Sequence, residues 1–297
     1  MPEAGRTWIG TSGWSYDSWQ GLFYSADLPK RRRLEHAARR FNSIEINGSF
    51  YSLQTPESYR RWYEAAPADF RFAVKGSRFI THNKKLGDAR GPLANFLASG
   101  VLRPGEKLGP ILWQLPENLT FDRDRAEAFL DLLPHDTEAA AALAREHDER
   151  VEGRAWTEPE GRHRIRHAIE PRHESWFGPE FVRVARAGGV AIAFADSGDW
   201  PWTEELTAGF VYLRMHGSPR TYASRYSRAW IARLARRIRA WSEGREPEDP
   251  ERLTDLRPPR RKTRDVYVYF DNDQRANAPR NALALIEELA PRPEGAG

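Results

Sequence analysis

The 297-residue chain contains no cysteine, which excludes disulfides and thiolate metal sites and fits a cytoplasmic setting. It also lacks any apolar run near the ~20 residues that span a bilayer, so no membrane partner is expected. Its first segment mixes Gly, Ser, Trp and Asp where a secretory leader needs a continuous apolar core, so no leader is expected. No GxGxxG or P-loop pattern follows the first strand-like segment, and no HExxH or similarly tight ligand spacing occurs. These absences remove the common nucleotide folds and the helical zinc motif. The chemistry must come from scattered polar side chains on a soluble chain, and no cofactor is expected.

Charge is present but unevenly spread. The net charge is +4, yet residues 214–264 carry 15 Lys and Arg against 6 Asp and Glu, and the remainder is net acidic. Such asymmetry suits a face turned to a polyanion, and it equally suits a solvated, arginine-rich helix face. Within this segment, residues 243–264 are charged and proline-rich and read as an exposed insertion.

The most informative stretch is Arg162 to Ser175, RHRIRHAIEPRHES, where a β-like run ends in Glu170, Arg172 and His173. Burying such an end is costly unless its charges have partners or work to do. The pattern recurs. Eight segments read as strands: Thr7–Trp14, Ser43–Phe50, Phe70–Gly76, Leu108–Leu115, Ile165–Ile169, Val190–Asp196, Phe210–His216 and Val266–Phe270. Seven of them end in charge or amide. Helical spacing marks Arg31–Phe41, a helix opening at Thr55-Pro56, and others near Leu93–Leu97, Asp122–Leu133 and Thr137–His147. Three more follow Gly178-Pro179, Ser227 and Ala278. Alternating strands and helices in a chain of this length predict a single-domain α/β fold, a (β/α)8 TIM barrel with its core over residues 7–290.

In a barrel the chemistry gathers at the C-terminal strand ends, and residues two apart share a face. Glu45, Lys75, Glu170, Asp196, Arg214 and His216 are therefore the candidate catalytic groups. Carboxylates interleaved with cations can hold one acid protonated and another ionised, the basis of acid–base work, and they can equally cancel as a structural ion network. Lys75, Arg172, Arg214 and His216 could converge on an anion, with the Gly217 backbone approaching it. Ser12, Gly13, Asn47, Gln114, Asp271 and Asn272 are polar candidates for substrate contact. Trp14, Tyr16, Tyr51, Trp113, Trp176 and Tyr226 suggest an aromatic rim suited to a flat ring. A divalent metal on Glu45, Glu170, Asp196, Asp271, His173 and His216 is the weaker reading, because Lys75 and Arg214 would repel it, and no metal ligand is assigned.

Seven ordered motifs carry a family resemblance: IGTSGWSYDSWQGLFY, FNSIEINGSFY, FRFAVKGSRFITH, LGPILWQLP, RHAIEPRHESW, VYLRMHG and VYVYFDND. Over Ile9 to Leu289 the chain resembles the domain of unknown function 72 family, also called YecE-like. The resemblance implies a TIM-barrel fold, and the family's fold and pocket are similar to endonuclease IV and sugar-isomerase barrels. It carries motif positions onto Ser12, Gly13, Trp14, Glu45, Asn47, Lys75, Gln114, Glu170, Arg172, Trp176, Arg214, His216, Gly217, Asn272 and Asn281. The family often has Phe-Asn-Asn where this chain has Phe270-Asp271-Asn272, an added negative charge. A trinuclear zinc site would need more histidines than this mouth offers.

The expectation is an enzyme of hydrolase or lyase type working by acid–base chemistry on a phosphorylated or anionic small molecule. One alternative is a nucleic-acid-binding protein or endonuclease IV-like phosphodiesterase. Another is a non-catalytic ligand sensor.

Overall fold

The computed structural model describes residues 4–291. From the N-terminus the elements are β1 (Thr7–Thr11), α1 (Arg33–Ala38), β2 (Ser43–Ile46), α2 (Gly48–Tyr51), α3 (Pro56–Ala65), β3 (Arg71–Lys75), α4 (Arg90–Phe96) and β4 (Leu108–Gln114). They continue as α5 (Arg123–Asp131), α6 (Thr137–Ala144), β5 (His167–Glu170), α7 (Pro179–Ala187), β6 (Ala191–Ile192), β7 (Phe194–Ser197), β8 (Phe210–Gly217), α8 (Arg228–Ser242), β9 (Asp265–Phe270) and α9 (Asn277–Leu289). No helix among the described residues is long and apolar enough to cross a membrane.

Every strand pairing is parallel, in two sheets ordered β1-β9-β8-β7 and β2-β3-β4-β5-β6. The sheets do not form one closed ladder. They meet at two seams. Beyond β1, Ser12 bridges Glu45 of β2, and the Gly13 N–H donates to Glu45 O at 2.8 Å. At the other seam Ala193 separates β6 from β7, and its N–H donates to Ile169 O of β5 at 2.8 Å before the chain turns to β8. The expected strand Val190–Asp196 is therefore two strands in different sheets. The expected strand Ser43–Phe50 is also shorter, because Asn47 already has helical backbone angles (φ −90°, ψ −23°) and opens α2.

Helix starts follow local chemistry. Thr55, Asp122 and Ser227 each accept a backbone N–H three residues on, capping α3, α5 and α8. The helix expected near Leu93–Leu97 is α4, extended by a π-helical turn Leu97–Val101 in which Gly100 has φ +109°. A Cβ there would stand 2.6 Å from Pro56 Cα, so close packing on α3 also requires glycine. The 243–264 insertion is irregular yet tied down rather than loosely solvated. Arg252 pairs with Glu246 at 2.7 Å, Arg237 with Asp249 at 2.9 Å, and Arg264 is buried on Gly244 O and Pro259 O.

The sheets carry two apolar layers. One faces the helices and includes Ile44, Ile46, Phe72, Val74, Ile111 and Trp113. The other is a separate inner cluster drawn from both sheets, including Trp8, Ala73, Leu112, Ala168, Tyr212 and Tyr269. Two residues further along their strands stand Lys75, Gln114, Glu170, Arg214 and Asp271. The period of two therefore keeps these polar groups on the inner face, one step nearer the C-terminal ends. Side chains also cross between the sheets: Ser43 Oγ lies 2.7 Å from Tyr269 OH, and Arg166 pairs with Asp265 at 2.7 Å.

Candidate active site

Arg214 is fully buried at the centre of the polar layer. Its Nε and Nη2 donate to Glu45 at 3.1 and 2.8 Å, Nη1 to Glu170 at 2.8 Å, and Nη2 to Asp271 at 3.1 Å. Nη2 also donates to Ser12 Oγ at 2.9 Å, and Nη1 lies 3.3 Å from His216 Nε2. A guanidinium has five N–H groups, and every nitrogen here is already engaged. Arg214 thus clasps the two sheets together and has no donor left for a ligand, which corrects its expected place as an anion holder.

Glu45 is satisfied in the same way. It accepts from Tyr212 OH at 2.6 Å, from the Ser12 hydroxyl, and from two nitrogens of Arg214. A carboxylate has about four lone-pair positions, and these donors occupy them. Its expected use as a catalytic base is corrected to that of an anchor for Arg214.

Glu170 and Asp271 are more open to work. Burial pushes the Glu170 carboxyl up, but Arg214, His216 and Arg172 outweigh it and hold the group well below the ordinary range. Asp271 is pulled down to about 2, burial again opposing and Arg214 and His216 prevailing. The fully buried His216 lies between them, with Nδ1 3.0 Å from Asp271 Oδ2 and Nε2 3.5 Å from Glu170 Oε2. Trp200 and Tyr222 meet its ring edge-on at 5.1 and 5.6 Å.

Lys75, at the end of β3, is 8% exposed and makes no hydrogen bond or ion pair among the described residues. Its Nζ rests 4.1 Å from the centroid of the Phe50 ring. Burial, and then the charge of Arg214, push the ammonium down to about 8. The nearby His82 is pushed down to about 4 by burial and by Lys75, Arg78 and Arg172. Arg172 donates to Glu170 at 3.1 Å and lies 3.6 Å over the Trp200 ring. Basic groups thus crowd one side of the site, above carboxylates already turned toward Arg214.

Other expected residues divide between site and scaffold. Asn47 donates to Ser12 Oγ at 2.9 Å, and Tyr16 OH donates to Ser12 O at 2.8 Å, so both brace the β1 end. Gln114 is buried with its Nε2 on Leu115 O at 2.7 Å. The Gly217 N–H, expected to face a ligand, donates to Tyr226 OH at 2.8 Å instead. Asn272 Nδ2 donates to Ser224 O and Asn281 Oδ1 at 2.8 and 3.1 Å, which secures the loop after β8 rather than orienting a hydroxyl.

Trp176 and Trp113 are corrected to packing roles, and other expected aromatic and acidic residues sit at the edge of the site. Trp176 is buried with its indole N–H on Leu119 O at 2.7 Å, and Trp113 belongs to the helix-facing layer. Tyr51 points outward, 71% exposed, and Trp14 packs edge-on against Trp62. The aromatic rings around His216 and Lys75 are Trp200, Tyr222 and Phe50, with Tyr51 packed edge-on against Phe50. Asp196 makes no ion pair with Arg214 but lies within electrostatic reach of His216 and is hydrogen-bonded by Tyr226, and it also lines a cavity of about 320 Å3 with Trp202, Glu204, Trp230 and Arg233. Its strand splits from β6 at Ala193, which changes what this residue faces. Tyr212 was legible, being two residues before Arg214 on the same face. Trp200 and His82 lie in segments without period, and no local signal marks them.

An α/β protein of parallel sheets, with a buried ion network at the strand C-termini, is the class defined by this architecture. The chain belongs to the family described as protein of unknown function DUF72, whose model matches residues 8–296. It is 34% identical over 131 residues to the UPF0759 protein YecE of Escherichia coli, a match covering 43% of this chain and 44% of that protein. The chain thus aligns with less than half the length of this curated relative. It is 22% identical to the UPF0759 protein YunF of Bacillus subtilis, over 95% of this chain and 94% of that one. A crystal structure of a DUF72 family protein from Thermotoga maritima shares the fold, with TM-score 0.71, 22% identity, and 96% and 99% of the two chains covered. Another, from Enterococcus faecalis, has TM-score 0.67 at 17% identity, with 95% of each chain covered.

Proposed function

We propose that the two sheets are arcs of one single-domain (β/α)8 barrel, and that its mouth is the active site of an acid–base enzyme, hydrolase or lyase in type. The substrate is a phosphorylated or otherwise anionic small molecule. The observation that carries this reading is the uneven sharing of charge. Glu45, Glu170 and Asp271 are turned to Arg214, while Lys75 lies buried with no carboxylate ion pair among the described residues, and Arg172 and Arg78 act together with it on His82. A buried cation without a partner favours an incoming anion, which replaces the hydration it has lost. Asp271, His216 and Glu170 then form a proton path: the imidazole takes a proton on one nitrogen and releases one from the other.

The nucleic-acid reading retains the arginine surplus of residues 214–264, most of it exposed, but three of its arginines are spent inside the protein. Arg214 is saturated, Arg237 is held by Glu204 at 2.6 Å, and Arg264 by backbone carbonyls. Inorganic phosphate titrated into wild type and Lys75→Met at 50–200 mM salt separates the readings. The expected result is a raised melting temperature in wild type only, with a shallow salt dependence. A DNA backbone would instead lose affinity with a slope of about −0.9 per phosphate contacted. No response of wild type to phosphate would overturn the anion reading.

A further inference from the structure

We infer that Lys75 is the nucleophile of a covalent step, its amine condensing with the carbonyl carbon of an aldehyde or ketone that carries an anionic group. The inference rests on the anion reading of the same site and names its substrate class.

The chain contains its own comparison. Lys107 is as buried as Lys75, but its Nζ donates to Tyr63 O at 2.7 Å and Ala66 O at 2.8 Å. That is how a structural buried lysine is satisfied. Lys75 has no such acceptor among the described residues, although Glu45, Glu170 and Asp271 are all close enough to act on it electrostatically. Glu45 spends its lone pairs on Arg214, Tyr212 and Ser12, while Glu170 and Asp271 are turned to Arg214, Arg172 and His216. Arg214 therefore has two effects: it holds these three carboxylates in its own ion pairs, and it places a like charge beside Lys75. Both favour the free amine, which is the nucleophilic form. With the ammonium near 8, about half is free amine at pH 8, about 100-fold more than for an ordinary lysine.

The step balances without any further reagent. The amine adds to the carbonyl carbon, and a proton passes from nitrogen to oxygen to give a carbinolamine. Protonation of that oxygen through His216, with Asp271 remaining a carboxylate beside it, lets it leave as water and forms the C=N bond. The protonated imine draws electrons from the neighbouring carbon, so an α-proton or an α–β carbon–carbon bond can be released. The proton released, from the α-carbon or from a β-hydroxyl, passes to a neighbouring base and returns to carbon of the resulting enamine; water then adds to the imine carbon and returns the amine and a carbonyl product. Arg172 and Arg78, grouped with Lys75 around His82, take the anionic group.

The test is borohydride trapping on the full chain at pH 8, with dihydroxyacetone phosphate and its neutral counterpart dihydroxyacetone, and peptide mapping by mass spectrometry. The expected product is a reduced adduct on Lys75 at least ten times more abundant than on the surface lysines Lys84 and Lys262. It should be stronger with the phosphorylated probe, suppressed by inorganic phosphate, and absent in Lys75→Arg. Equal labelling of Lys75 by both probes, with no protection by phosphate, would support the covalent lysine and overturn the anion reading. Phosphate binding in the melting assay without preferential labelling of Lys75 would overturn this inference and leave the anion reading standing.

Discussion

Replacing Arg214 with Met tests whether the buried network is held by one cation. The substitution keeps much of the side-chain volume but leaves Glu45, Glu170 and Asp271 facing one another, the first two with no exposure and Asp271 with 13%. Removing one partner of a buried ion pair costs about 3–5 kcal/mol, because the remaining charge is left uncompensated. Lys75 can turn toward the freed carboxylates, so the lower half of that range is expected at pH 7.5. For a chain of this size that is a melting-temperature loss of about 5–6 °C. The pH dependence has a definite sign. In wild type the Glu170 and Asp271 carboxyls lie below their unfolded values. Their contribution is thus fully present above about pH 4.5 and is lost only as pH falls toward 2. Without Arg214, burial dominates and their folded values rise, so the variant gains stability between pH 7.5 and 5. Denaturant unfolding followed by tryptophan fluorescence at both pH values reads this directly. A loss below 1 kcal/mol, or one equal at the two pH values, would refute the reasoning.

Two further outcomes follow from single contacts. Tyr212→Phe removes the 2.6 Å bond to Glu45 and should cost about 1.5–3 kcal/mol in unfolding free energy, with phosphate binding unchanged; a lost phosphate response would place Tyr212 in the ligand site instead. Glu204 is nearly fully buried, and burial raises its carboxyl to about 7 despite Arg237. A raised carboxyl binds protons in the folded state first, so its stabilising effect is present at low pH and fades as pH rises from about 4.5 through 7. Glu204→Gln should flatten that part of the stability–pH profile, and an unchanged profile would show that Glu204 titrates normally.

The inner face of the site could be read along the chain because it depends on a local period. Ala73 and Lys75, Ala168 and Glu170, and Tyr212 and Arg214 alternate with helix-facing residues, and backbone geometry fixes that alternation wherever a strand forms. Capping residues such as Thr55 and Asp122 likewise act within one turn and were legible at their own positions. The break at Ala193 was not, because both halves of that strand are apolar and only pairing partners distinguish them. The same holds for Trp113 and Trp176, which follow or end strands like rim residues yet turn toward the helices.

Amino-acid order by itself determined the parallel α/β class, the strand ends that carry charge, and the alternation that puts Lys75, Glu170 and Arg214 on the shared inner face. Tertiary structure alone decided how those groups are spent. Arg214 meets Glu45 across 169 residues and Glu170 across 44, and no local pattern encodes which carboxylate will occupy which N–H. Arg214 draws Glu45, Glu170 and Asp271 into its own ion pairs, and Lys75 is left without an acceptor among the described residues. That division depends on distances between sheets, and only the folded chain sets them.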